Sequence, residues 1–170
     1  MDEASLYLQT TTMAVWGPRG QPLTVRCDPS RAKTSFYGAL NLDTGQVLAQ
    51  QVEQMTAETT ASYLETVLSD YPTVPILLLW DRAPWHRGAK IRELQAANPR
   101  LELVVFPTAA PDLNPQEHVW KATRRAVGHN HTERRLPDLA NRFTEHLKTT
   151  TFRSSFLEHY GWNLVCPKST

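Results

Sequence analysis

The apolar and polar positions divide the chain into short strands first and helices later. Residues 3–9 (Glu-Ala-Ser-Leu-Tyr-Leu-Gln) read as a strand, and 10–22, with Trp16, Gly17, Pro18 and Gly20, as a loop. A short strand falls around 23–26. Residues 34–42 and 46–52 flank Asp43-Thr44-Gly45, a hairpin signal with Gly where positive φ is needed. Thr56 is placed to N-cap a helix over 57–70, whose apolar positions Ala57, Ala61, Leu64, Val67 and Leu68 recur at helical spacing; Pro72 and Pro75 end it. Residues 76–80 (Ile-Leu-Leu-Leu-Trp) are continuously apolar, the pattern of a strand buried on both faces. A helix over 87–97 stops near Asn98-Pro99, and 101–106 is a second apolar strand. A Pro-rich loop over 107–114 leads into a helix from 115 to about 127, closed by Gly128, and a further helix starts at Pro137.

Three strands with hairpin connections are thus followed by helix, strand, helix, strand, helix. A strand–helix–strand unit implies a parallel pair with a right-handed crossover, and the whole is a mixed sheet with helices packed on it. This α/β order is that of the RNase H-like fold, a mixed five-stranded sheet flanked by helices. The expected organisation is one domain over 1–160 and a tail over 161–170. Only Met1 stands before Asp2, so the first strand, central in that fold, is read as truncated.

Composition adds limits. The 170 residues suit one domain with a real core, and 41% apolar content is ordinary for a soluble one. No stretch approaches the roughly 20 apolar residues of a membrane span, and no signal peptide is visible, so a cytoplasmic location is expected. Cys27 and Cys166 form no CxxC pair; they read as free thiols of a reducing compartment, or as a single disulfide. The net charge of +1 hides an asymmetry. Residues 1–81 carry four Lys/Arg against nine Asp/Glu, a net of −5, and residues 82–170 carry fourteen against eight, a net of +6. That division suits either a metal site beside a polyanion-binding surface or ordinary solvated charge.

Three acidic residues stand where carboxylates are useful. Asp81 ends the apolar run at 76–80, at the carboxyl end of a strand, where ligand sites of open α/β sheets lie. It could equally cap the following turn through its side chain. Glu117 falls at the third position of the helix opened by Asn114-Pro115, which is also the capping-box position. Asp2 begins the first strand, and Glu3 beside it would point to the opposite face. His129-Asn130-His131 invites a metal reading but lacks a second ligand pair at zinc spacing, and reads as a polar loop.

The blocks around these residues carry more. Asp2-Glu3 is followed by Trp16-Gly17-Pro18-Arg19-Gly20. Asp81 opens Asp81-Arg82-Ala83-Pro84-Trp85-His86. Glu117 closes Pro111-Asp112-Leu113-Asn114-Pro115-Gln116-Glu117, with 35 residues between it and Asp81. Together, over nearly the whole chain, they resemble the catalytic domain of DDE transposases of the mariner superfamily, especially its bacterial insertion-sequence branch. The resemblance implies that Asp2, Asp81 and Glu117 are catalytic carboxylates holding two Mg²⁺ ions, with Mn²⁺ as a substitute. It implies cleavage of a DNA strand at a transposon end, then strand transfer of the freed 3′-end to target DNA. Implied partners are terminal inverted repeats, target DNA, and a second copy or a helix-turn-helix-containing transposase part, on the bacterial nucleoid. His86 aligns with the family's His near the scissile phosphate or is structural. Lys121, Arg124, Arg125, Arg134 and Arg135 are candidate phosphate contacts or solvated charge. Glu3 reads as structural or DNA-proximal, and Trp85 and Trp120 as packing residues. Arg82 replaces the family's usual Asn and puts a cation beside Asp81, and Thr108-Ala109-Ala110 replaces a stretch where an aromatic is common. The family's N-terminal helix-turn-helix is absent from the 170 residues, so the alternative reading is a truncated, non-catalytic remnant that binds DNA or dimerises with full-length transposase.

Overall fold

The computed structural model describes residues 1–21, 24–25, 27–107 and 113–152. Five strands and four helices follow in the expected order: β1 (Asp2–Tyr7), β2 (Lys33–Leu40), β3 (Val47–Val52), α1 (Ala57–Asp70), β4 (Ile76–Trp80), α2 (Ala89–Ala97), β5 (Leu101–Val105), α3 (Pro115–Thr123) and α4 (Leu136–Thr149). Of the short strand expected at 23–26, residues 24–25 are described and are not in a strand; its other residues, most of the 107–114 loop and the 161–170 tail lie outside the described residues.

Local chemistry fixes the elements. In the β2–β3 connection, Asn41 Oδ1 accepts from the N–H groups of Asp43 and Thr44 at 2.9 and 3.0 Å. Gly45 takes φ +73°, which lets its N–H reach the Asn41 carbonyl at 2.8 Å. Thr56 caps α1: its hydroxyl accepts from the Thr59 N–H at 3.2 Å, and the Thr59 hydroxyl accepts from the Thr56 N–H at 2.9 Å. This is a capping box with Thr in the place of Glu.

β1, β2 and β3 form an antiparallel ladder in which Asp2 faces Gly38 and Ala4 faces Phe36. β4 and β5 pair in parallel, Ile76 with Leu101 through Trp80 with Val105, with α2 in the crossover. The single five-stranded sheet expected from the sequence is therefore two ladders among the described residues. β1 pairs with β2 from Asp2 onward, and the Met1 amino group donates to the Leu79 carbonyl of β4 at 2.7 Å.

The pleat of the first sheet feeds two cores. Tyr37 packs with Met1, Tyr63, Leu64, Leu78 and Trp80 on the α1 side. Ala4, Leu6 and Phe36 pack with Val119, Trp120, Leu139 and Phe143 on the side of α3 and α4. Asp2, two residues before Ala4, belongs to that second side by strand alternation.

The helix expected over 115–127 is α3 followed by a wider turn at Arg124–Gly128, closed by a bond from the His129 N–H to the Arg124 carbonyl at 2.8 Å. His129-Asn130-His131 is the polar loop expected, with a definite task. Asn130, at φ 51°, accepts from the Met13 N–H at 3.0 Å and donates to the Met13 carbonyl at 2.8 Å. It thereby pins the segment after β1 to the end of the turn.

Candidate metal centre

Asp2 of β1 lies within electrostatic reach of Glu117 of α3, and Asp81, after β4, lies beside Glu3 and His86. Asp2 is 7% exposed, although it stands one residue from the chain's first. Its carboxylate accepts from the Trp120 indole N–H at 3.1 Å. Burial, the Glu117 charge and the Glu3 charge push its pKa up to about 7. The Met1 ammonium is lowered to about 6 by its own burial, against the pull of Asp2, Glu3 and Asp81. A buried carboxylate with two acidic neighbours is short of positive charge. Oxygen donors in that state suit a hard divalent cation.

Asp81 is half-exposed. Its Oδ1 accepts from the Ala83 N–H at 2.8 Å, so the turn-capping role is real. The same oxygen lies 3.1 Å from His86 Nδ1. Both contacts fall on Oδ1, which leaves Oδ2 for another partner. Arg82 is exposed and joins none of the ion pairs among the described residues, so the cation beside Asp81 is not Arg82.

His86, in the short 3₁₀ turn Pro84–His86, is buried and stacks on Trp80 with ring centroids 4.4 Å apart. Nε2 donates to Glu3 Oε1 at 2.7 Å, and Nδ1 donates to the Asp81 carbonyl at 3.0 Å. Two donors require the imidazolium. Burial opposes that charge, but the Glu3 bond and charge, aided by Asp81, raise the pKa above its usual value. Glu3 does leave β1 on the face opposite Asp2, as the pleat requires, and there it anchors His86. Ligand atoms of Glu3, Asp81 and His86 lie within 4.8 Å of one another, the one such group of three among the described residues; Asp2 and Glu117 are not part of it.

Glu117 sits in the first turn of α3, partly buried. Asn114 caps the helix itself, its Oδ1 accepting from the Gln116 N–H at 3.1 Å. Among the described residues the Glu117 carboxylate makes no reciprocal capping bond; its charge acts on Asp2 instead. The capping-box explanation of Glu117 is thereby set aside.

The expected DNA contacts divide. Arg124 donates to the Ser5 carbonyl at 3.5 Å, and Arg135 pairs with Asp138 at 3.7 Å on the surface. Lys121, Arg125 and Arg134 are exposed and join no ion pair among the described residues. Trp120 is the packing residue expected; its bond to Asp2 goes further, and its place three residues after Glu117 and the need of a buried indole N–H for a partner are the signals for it. Glu3 is structural, as one of its two expected roles had it, and nothing local points to its partner His86, 83 residues away.

Residues 1–140 match the family model described as DDE superfamily endonuclease. The insertion element IS630 uncharacterized 39 kDa protein of Shigella sonnei is 25% identical over 131 residues, covering 76% of this chain and 38% of its own length. The Mos1 transposase paired-end complex with left transposon end superposes with a TM-score of 0.67 at 17% identity, covering 96% of this chain and 50% of the Mos1 chain. The mariner Mos1 paired end complex with Mg gives 0.68 at 16% identity, with 96% and 53% coverage. These likenesses show the RNase H-like fold. The chain spans well under two thirds of the length of each of these relatives. The family model, matching 140 of the 170 residues, decides membership: this chain belongs to the DDE superfamily endonuclease family.

Proposed function

We propose that this chain is the catalytic domain, over 1–160, of a metal-dependent DNA transposase. It would cut a DNA strand at a transposon end and transfer the freed 3′-end to target DNA. The observation that carries the reading is the coupling of Asp2 to Glu117. Burial is the main cause that raises the Asp2 pKa to about 7, and Glu117, from a distant part of the chain, lies close enough for its charge to add to the rise. Like charges are gathered in this way where a cation is to be held.

Asp2, Asp81 and Glu117 would hold two Mg²⁺ ions, or Mn²⁺ in their place. When bound, such a pair supplies nucleophile activation and leaving-oxygen stabilisation in an in-line phosphodiester displacement. The protein's own part is placement. β4 presents Asp81 at its carboxyl end, α3 presents Glu117 at its first turn, and β1 presents Asp2 from a buried ladder position. His86 would hold Asp81 in register through its carbonyl and carboxylate. Lys121, Arg125 and Arg134 would contact DNA phosphates, each weakening with salt. Arg124 and Arg135, already engaged within the chain, would contribute less. Partners would be transposon ends, target DNA, and a second copy or a helix-turn-helix-bearing part. Such partners would place it on the bacterial nucleoid.

The experiment is nicking of DNA carrying the element's ends with Mg²⁺ or Mn²⁺, by the wild-type chain and by Asp81→Ala. Metal-dependent nicking lost in the variant supports the reading. Equal activity of the two proteins removes it.

A further inference from the structure

Trp120 is fully buried, and its indole N–H meets the Asp2 carboxylate at 3.1 Å across 118 residues of sequence. It lies three residues after Glu117 on α3, so both side chains leave the same face of the helix. The indole reaches Asp2 by lying over the sheet face that both share. Gly38 pairs with Asp2 in the β1–β2 ladder. A Cβ at position 38 would lie 2.5 and 2.7 Å from Cη2 and Cζ2 of Trp120, and 2.6 Å from Gln116 Nε2. Only glycine leaves room for the ring at that ladder position. Phe143 of α4 stacks on the ring from 6.2 Å, interplanar angle 18°. Burial alone does not explain the bond. The indole nitrogens of Trp80 and Trp85 are also buried, and neither has a hydrogen-bond partner among the described residues. Of these three buried indoles, the one aimed at a carboxylate of the metal centre is the one seated over a glycine.

We propose that Trp120 is a positioning residue of the metal centre: its indole N–H fixes Asp2 Oδ2, turning Oδ1 toward the cation, and Gly38 leaves room for the ring. The inference rests on the metal reading above. One turn of α3 would then carry both a ligand, Glu117, and the group that orients another. Partners that orient metal ligands are typically worth 10–100-fold in metal affinity.

The test is Mn²⁺ binding to the intact chain, read by the loss of the free-ion electron paramagnetic resonance signal. Wild type, Trp120→Phe, Phe143→Leu and Asp81→Asn are compared. Trp120→Phe keeps an aromatic ring and removes the N–H, and Phe143→Leu disturbs the same core without touching it. The expected result is roughly 10-fold or greater weakening in Trp120→Phe, with Phe143→Leu close to wild type. Wild-type affinity in Trp120→Phe, or equal weakening in both core variants, overturns the inference alone. No Mn²⁺ binding by wild type, or binding unaffected by Asp81→Asn, overturns the metal reading and the inference with it. A second measurement needs no substitution at position 120. The Trp120 indole ¹H–¹⁵N resonance should move on Mg²⁺ addition in wild type and stay in Asp2→Asn. An unmoved resonance at saturating Mg²⁺ overturns the inference even where Trp120→Phe does not fold.

Discussion

His86 and Glu3, 83 residues apart, are joined by a bond of 2.7 Å between Nε2 and the carboxylate, while the other face of the imidazole holds the Asp81 carbonyl. The histidine thus ties the first strand to the loop that carries a proposed metal ligand. Glu3→Ala would leave a buried, charged imidazole without its main partner. The expected cost is about 1–3 kcal/mol in urea unfolding. Glu3→Gln, which still accepts a hydrogen bond, should lose less. DNA nicking should fall in the same order if Asp81 depends on this tether.

Asp2 should make the metal-free protein lose stability as pH rises through its titration. Asp2 titrates near 7 in the folded chain against 3.8 unfolded, with burial the main cause. Between those values the folded state binds a proton that the unfolded state has released, so stability falls with rising pH. His86, raised above 6.5, adds a loss in the same direction as pH passes through its folded pKa. Thermal melts in EDTA should show this loss from about pH 4 upward, while the buried Met1 amine, His131 and His146, whose pKa values are lowered, act in the opposite direction near and above pH 6. The Asp2 part is read as the difference between wild type and Asp2→Asn. A difference that does not change with pH between about 4 and 7 would contradict the placement of Asp2.

Gly38→Ala should be poorly tolerated for a reason unrelated to backbone freedom. The added methyl meets the Trp120 ring at 2.5 Å, and neither ring nor ladder has room to retreat. Overpacking of this kind costs roughly 1–3 kcal/mol. Equilibrium unfolding checks it, and stability equal to wild type would mean that the ring is not seated against β2.

Asn130→Ala removes both bonds to Met13 and places a methyl-bearing residue at φ 51°. Asn130→Gly removes the bonds but keeps that φ accessible. Both variants should be cut faster by protease between residues 10 and 21 than wild type. Only Asn130→Ala should carry the additional backbone penalty in stability.

Much of the fold was legible because it is locally encoded. Thr56 announced α1, Asp43-Thr44-Gly45 the hairpin, the run Ile76 to Trp80 a buried strand, and Asn114-Pro115 the start of α3. The site was legible as residue types in order: an Asp at a strand start, an Asp at a strand end and a Glu in a helix's first turn. The contacts between them were not. Trp120 with Asp2 and His86 with Glu3 are pairs 118 and 83 residues apart, and periodicity constrains only neighbours. The split of the sheet was also hidden, since strand pattern marks which segments form strands and not which of them pair. His129-Asn130-His131 shows the converse. Its polarity was plain, yet its role depends on Met13, which only the folded chain brings near.

The central claim is that Asp2, Asp81 and Glu117, rather than the neighbouring group of Glu3, Asp81 and His86, hold the divalent cation. Crystals of the chain soaked in Mn²⁺ and measured at the manganese absorption edge would locate the ion directly. Anomalous density is expected in contact with the Asp2, Asp81 and Glu117 carboxylates, with His86 still bonded to Glu3. Density seated between Glu3, Asp81 and His86, with Asp2 and Glu117 free of it, would assign the cation to the other group instead.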